Sequence, residues 1–325
     1  MQTNNSSVST RVAGLVARYY LQKPDQADLL RIKFPDGRSM GWGALNEAAF
    51  RAGASRSARL TTLNIEITNR CNLNCVYCPV NSGLSRARTD LPFERFVEIL
   101  DRAPTITDLL PFQWGEALLH PRIFDMLRLA SGRGLRTYLT TNGTLLDQRR
   151  RREILDAGLE RLTISVDGND ETHLRTRGVD LAPIRERVVR LRRERDASSS
   201  RMSIDVSMVV DEHTTASIEE YRREWSGVAD RVQTIPRLIK GTRTKPCREL
   251  WRGLLVVLAD GRVTACCGDS EGALDLGSIF ESDAAKIFNG KRMRALRRLH
   301  TEGRLPPVCA RCDEYQHAEV SPRFR

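Results

Sequence analysis

The 325-residue sequence predicts an α/β fold, a partial (β/α)6 barrel followed by a small cysteine-rich domain. Three observations predict it. Strand-like and helix-like runs alternate from about residue 61 to 240, which favours right-handed βα units on a parallel sheet. Six units in roughly 180 residues are too few for a closed eight-fold barrel, which takes about 250 residues. Beyond about residue 241 the alternation stops, and five of the eight cysteines gather there.

In chain order, residues 1–60 form an N-terminal extension without cysteine, expected to pack on the barrel. Its LLRIKFPDGRSMGWG stretch predicts a short hairpin turning at Pro35-Asp36-Gly37. Strands are predicted over Leu63–Thr68, Ile106–Gln113, Thr137–Thr141, Leu162–Val166, Met202–Val210 and Val232–Ile235. Between them, helices are predicted over Phe93–Arg102, Ile123–Arg133, Leu145–Ala157, Ile184–Glu194 and Ile218–Trp225. In such a barrel the chemistry sits at the C-terminal ends of the strands. Residues 241–325 are expected to form a separate domain held by metal in place of a large core. It contains a hairpin, GLLVVLADGRVTACC, turning at Asp260-Gly261, and a helix over Asp283–Leu299.

Composition narrows the class. No apolar run approaches the roughly 20 residues a membrane helix needs. The N-terminal MQTNNSSVST lacks the basic-then-apolar order of a signal peptide, so the expectation is a cytoplasmic protein without a membrane partner. Net charge is +11, but the basic residues are spread along the chain, which favours a solvated surface over a nucleic-acid site. The densest run, Arg149 to Arg152, lies in a helical pattern whose leucines and isoleucine form the buried stripe, with the arginines as the wet face.

Cysteine spacing carries the chemistry. Structural disulfides are rare in a cytosolic chain. The eight thiols fall into Cys71, Cys75, Cys78, then Cys247, Cys266, Cys267, then Cys309, Cys312, and such clustering points to metal. The first group reads CxxxCxxC just past the first barrel strand. A 4Fe–4S cube normally takes four thiolates. Three leave one iron open to bind a small molecule through an amine and a carboxylate. The competing reading, structural zinc, wants four ligands, and no fourth lies near this loop in sequence.

CNLNCVYC, with Tyr77 before the third cysteine, resembles the signature of the radical S-adenosylmethionine (radical SAM) superfamily, and the resemblance extends over residues 61–240. WGEALLHP, Trp114 to Pro121, is similar to the family's GGEP segment, with Trp114 for its first glycine and Ala117 for its proline. Gly115 and Glu116 are kept, and the resemblance implies that they bind the methionine amine. TTNGTLL and ISVDG are similar to later strand ends of the family, where Thr141, Asn142, Ser165 and Asp167 approach the methionine or ribose. Asn142-Gly143 and Asp167-Gly168 also read as ordinary turn pairs. The resemblance implies S-adenosylmethionine and a 4Fe–4S cluster as cofactors, and a reducing partner such as a flavodoxin or ferredoxin. It also implies a 5′-deoxyadenosyl radical that takes a hydrogen atom from an unactivated C–H bond. The protein orients that hydrogen and excludes water.

The C-terminal residues CREL-W at 247–251, LADGRVTACC at 258–267, LGSIF at 276–280 and CARC at 309–312 resemble the SPASM/Twitch extension in its single-cluster form. The resemblance implies a second, auxiliary 4Fe–4S cluster on Cys247, Cys266, Cys309 and Cys312. The family pattern selects Cys266 over Cys267; spacing leaves both open, and on spacing alone four-cysteine zinc fits as well. Cys267 is then either a packed, inert thiol or a hydrogen-atom donor.

The reaction expected is oxidation of a secondary alcohol of a sugar or aminocyclitol, a small-molecule substrate of an aminoglycoside-like antibiotic pathway. Alternatives are epimerisation with Cys267 as donor, carbohydrate decarboxylation, or peptide modification. The last often comes with a leader-recognition domain, of which the first 60 residues show no convincing version. The non-enzyme alternative is a zinc- or cluster-binding regulator.

Overall fold

A computed structural model describes residues 31–33, 39–237 and 242–312. Strands β1 (Arg31–Lys33) and β2 (Ser39–Gly41) pair antiparallel, and the expected turn at 35–37 lies outside the described residues. Helix α1 (Trp42–Arg51) follows and buries Leu45 and Ala49. Asn46 lies between them. Its Oδ1 accepts from Ser57 Oγ and from the Ala58 and Arg59 amides, while its Nδ2 donates to Arg59 O. Ser57 Oγ lies 2.7 Å from Trp251 O as well, so its single proton is shared between that carbonyl and Asn46, and the Trp251 indole N–H donates to Ala54 O at 2.7 Å.

The six expected barrel strands appear in order as parallel neighbours: β3 (Thr62–Ile65), β4 (Asp108–Leu110), β5 (Arg136–Thr141), β6 (Arg161–Ser165), β7 (Ser203–Val210) and β8 (Arg231–Pro236). β4 stops earlier than its apolar run suggests, because Pro111 has no N–H to continue the ladder. The sheet is not closed. Beyond β3 it continues through β9 (Leu254–Val257), parallel to β3, and then β10 (Arg262–Thr264) and β11 (Asp275–Ser278), both antiparallel to their neighbours.

Strand alternation sets two unlike faces. Leu63, Ile65, Leu109, Leu139, Leu162, Ile164, Ile204 and Val206 join one apolar cluster with helix residues such as Phe96, Ile154, Ile184, Val188 and Trp225. The other face carries polar registers: Thr140 beside Thr163 beside Asp205, and Ser165 beside Ser207 beside Gln233. Thr140, Thr163 and Ser165 are half-exposed although they sit on interior strands, as is Gln233 on the edge strand β8, whereas Asp205 and Ser207 are buried, so this face is open in part.

The crossover helices are α2 (Phe93–Asp101), α3 (Ile123–Gly132), α4 (Gln148–Asp156), α5 (Asp170–Arg177), α6 (Leu181–Asp196) and α7 (Ile218–Trp225). Three expectations are corrected. Helix α5 is absent from the sequence pattern, since DETHLRTR has no apolar stripe. Of the run Arg149–Arg152, Arg151 is buried, paired through Nη2 with Glu194 at 2.7 Å and donating to Leu146 O. The single helix expected over 283–299 is two, α8 (Ala284–Phe288) and α9 (Lys291–Thr301), separated by Asn289-Gly290. There the Asn289 side chain leaves the helical path to accept from Ser57 N and Arg297. A last short helix, α10 (Pro307–Ala310), carries Cys309. Among the described residues, no helix is long and apolar enough to cross a membrane.

Candidate active site

The loop carrying Cys71, Cys75 and Cys78 leaves β3 at its C-terminal end, and all three are free thiols. The loop is pinned almost residue by residue. Arg70 O accepts from Glu116 N at 2.8 Å. Asn72 exchanges bonds with Thr144 and Asn142, at 2.8 and 2.9 Å. Val76 N donates to Thr176 O at 2.9 Å, and the Tyr77 hydroxyl donates to Asp167. Burial raises the pKa of each cysteine, that of Cys78 to about 11; Glu116 adds to the rise at Cys71, and the neighbouring cysteines add to it at Cys75 and Cys78. The thiols are therefore protonated until a metal displaces the protons. Among the described residues, no three His, Cys, Asp or Glu side chains converge on one metal-ion point. The fit to an iron–sulfur cube rests on the donor chemistry: three soft sulfurs on one anchored loop.

Beside this loop lies Gly115, whose φ of 140° and surroundings exclude a side chain: a Cβ would lie 2.5 Å from Thr68 O and 2.9 Å from Arg70 O. The next residue, Glu116, is buried, and its carboxylate accepts from Thr141 Oγ1 (2.7 Å), Asn142 N (2.7 Å) and Leu118 N (3.1 Å). Burial raises its pKa, and those three bonds oppose the rise. The WGEALLHP segment is thus stitched to the cysteine loop through its backbone and to the end of β5 through Glu116.

Asp167, just past β6, is saturated in the same way. It accepts from Tyr77, from Thr176 Oγ1 at 3.1 Å, from Arg177 Nε at 2.7 Å and Nη2 at 3.2 Å, and from Val209 N at 3.2 Å. Burial works to raise its pKa, but the Arg177 charge and these bonds hold it below the usual carboxylate range. Its own amide donates to His173 Nδ1. Sequence reasoning misses Thr176, Arg177 and His173 because all three lie on α5. The signals that mark that helix are Asn169 capping Thr172 N, the acidic pair Asp170-Glu171, and Gly178 at φ 75°. Ser165 sits half-exposed on the partly open polar face.

The second cysteine group assembles in part. Cys247 is buried, and burial pushes it up to about 12; Cys309 is pushed up to about 11. The Cys247 amide donates to His300 Nδ1 at 3.1 Å. Arg243 donates to Cys312 Sγ at 3.5 Å, and its charge reaches Cys247 and Cys309. Cys266 Sγ accepts from Gly268 N, while the Cys267 carbonyl accepts from Gln113, three residues past β4. The two cysteine regions are clamped together by a buried ion pair. Arg86 bonds both oxygens of Glu66 at 2.7 and 2.8 Å and donates through Nε to Ser270 O at 2.7 Å. Glu66 Oε2 also accepts from Ala259 N, and Glu271 accepts from Ser85. A surface cavity of about 420 Å³ lies elsewhere, between α4 and α6; Arg151, Glu186, Arg190 and Glu194 line it, and no cysteine does.

The chain is similar to known proteins in sequence and in fold. The family model of the radical SAM superfamily matches residues 65–224, and that of the SPASM iron–sulfur cluster-binding domain matches residues 247–313. An AdoMet-dependent heme synthase of Methanosarcina barkeri is 38% identical over 116 residues, 35% of this chain and 33% of the relative. A probable GTP 3′,8-cyclase of Methanocella arvoryzae is 35% identical over 113 residues, 34% of this chain and 36% of the relative. The chain therefore matches about a third of the length of these relatives. Among solved structures, BtrN in complex with AdoMet and 2-DOIA superposes with TM-score 0.57 at 15% identity, covering 79% of this chain and 94% of its own. Native anSMEcpe with bound AdoMet gives 0.58 at 18% identity, covering 74% and 83%. At these identities the likeness is one of fold.

Proposed function

We propose, from the premise that this chain belongs to the radical SAM superfamily and carries a SPASM domain, that it removes a hydrogen atom from a polar small molecule and oxidises a sugar or aminocyclitol alcohol. The setting would be the biosynthesis of an aminoglycoside-like natural product. The first domain takes S-adenosylmethionine and a 4Fe–4S cluster, and the second takes auxiliary iron–sulfur. When bound and reduced, the first cluster supplies one electron that splits S-adenosylmethionine into methionine and a 5′-deoxyadenosyl radical.

In this reading Cys71, Cys75 and Cys78 hold the first cluster, and Cys247, Cys266, Cys309 and Cys312 hold a single auxiliary one. Gly115 and Glu116 serve the methionine end, and Thr141, Asn142, Ser165 and Asp167 the methionine or ribose. Glu116 and Asp167 do so through the backbone they fix, since bonds within the chain already fill both carboxylates. The observation that supports a polyhydroxylated substrate is the partly open sheet face with Thr140, Thr163, Ser165 and Gln233 half-exposed on it. Hydroxyl and amide groups there exchange hydrogen bonds with a substrate's hydroxyls in place of water. The bound 2-DOIA of BtrN agrees with such a substrate.

A second reading, inversion of a carbon centre, is favoured by one contact: Gln113 holds the Cys267 carbonyl just beyond β4, beside the Trp114–Glu116 segment. In oxidation, an auxiliary cluster held by Cys247, Cys266, Cys309 and Cys312 would supply the acceptor for one electron of the substrate radical, and the radical's proton would go to solvent. Inversion takes a hydrogen atom from the Cys267 thiol, which an external reductant such as a flavodoxin or ferredoxin must restore. Turnover in deuterated solvent separates the two. A ketone without solvent deuterium supports oxidation; deuterium at an inverted carbon, lost in Cys267→Ala, overturns it for epimerisation.

A further inference from the structure

Arg243 is only 5% exposed. Its backbone N–H donates to Ala310 O at 3.0 Å, between Cys309 and Cys312, and its guanidinium Nη2 lies 3.5 Å from Cys312 Sγ. The thiols of Cys247, Cys309 and Cys312 all feel its charge. His300, Glu249 and Asp269 also lie near these thiols. His300 Nδ1 accepts from the Cys247 amide at 3.1 Å. Glu249 is paired with Arg252 at 2.5 Å, and Asp269 accepts from Thr264 Oγ1, Ala273 N and Leu274 N. A cluster's potential is set by net charge and by hydrogen bonds to its sulfurs. A buried guanidinium that donates to a ligand sulfur favours the reduced form, which carries the extra negative charge.

We propose that Arg243 raises the reduction potential of the auxiliary cluster and so makes it the electron acceptor of this chain. The proposal rests on the reading that Cys247, Cys309 and Cys312 are cluster ligands. It assigns Arg243 no contact with substrate; the residue tunes the acceptor.

The test is a redox titration of anaerobically reconstituted full-length protein, followed by electron paramagnetic resonance, comparing wild type with Arg243→Gln and Arg243→Lys. In Arg243→Gln the auxiliary midpoint moves to more negative potential by ~59 mV or more, about tenfold in the one-electron equilibrium. Arg243→Lys, which keeps the charge, shifts less, and the cluster of Cys71, Cys75 and Cys78 does not move. Two loaded clusters with unchanged midpoints in Arg243→Gln would overturn the proposal. So would loss of the auxiliary cluster in both variants with the first retained, since Arg243 would then hold the ligands in place and not tune them. Wild-type protein that binds zinc at 247–312 fails the underlying reading instead, a result visible before any variant is made.

Discussion

Asp167 and Arg177 form a buried pair whose work is to hold Tyr77, and through it the third cysteine of the loop. Breaking such a pair from one side leaves a buried charge uncompensated and costs about 3–5 kcal/mol. Asp167→Asn is therefore expected to lose about that much in urea denaturation, while Tyr77→Phe, which gives up one hydrogen bond, loses about 1 kcal/mol. A smaller loss in Asp167→Asn than in Tyr77→Phe would contradict this ordering. His173 gives a pH signature. Burial, helped by the Arg177 charge, pushes it down to about 4 from 6.5. The unfolded chain takes up a proton below pH 6.5 and the folded chain only near 4. Its contribution is present above 6.5 and fades as pH falls toward 4. The stability difference between wild type and His173→Gln should shrink over that window, and a difference independent of pH would count against it.

At the level of elements, strand ends and the loops leaving them make the site, and one glycine sets their spacing. Gly115→Ala would put a Cβ 2.5 Å from Thr68 O at a φ of 140°. The segment must then retreat from the cysteine loop. A misplacement of about 1 Å is worth about a hundredfold in rate, so S-adenosylmethionine cleavage should fall by that order while first-cluster iron is retained; unchanged cleavage would show that the close approach is dispensable. Legibility from sequence also divides by element. The barrel strands are legible because Leu63, Leu139, Leu162 and Val206 recur at strand spacing between helical patterns, and the cysteine loop because its spacing is local. Helix α5 is not: its exposed Leu174 breaks any apolar stripe, and its partners Asp167 and Tyr77 lie 10 and 100 residues before Arg177. The break at Asn289 is hidden for a like reason, since the group that draws the side chain out is Ser57, 232 residues away. Asp167 is picked out by its motif, but the neighbours that pack on it, Thr176 and Arg177, are not.

Over the whole molecule, the hairpin with its turn at Asp260-Gly261 is readable, whereas the parallel docking of β9 on β3 is not, because sheet partnership at that separation leaves no local pattern. That docking, with Glu66 and Arg86, makes the two cysteine regions one mechanical unit. Glu66→Ala should destabilise the chain by about 3–5 kcal/mol and speed amide hydrogen exchange in both 82–90 and 266–271. Faster exchange in one segment alone would show that they are not coupled. The central claim, that Cys71, Cys75 and Cys78 hold a cube with one open iron where S-adenosylmethionine is split, is tested most directly on protein prepared without oxygen. Metal and sulfide analysis, with an assay for 5′-deoxyadenosine on reduction, should give about eight irons per chain on the two-cube ligand count, and nucleoside release abolished in Cys71→Ala. Zinc in place of iron, or iron-loaded protein that releases no 5′-deoxyadenosine, would contradict it.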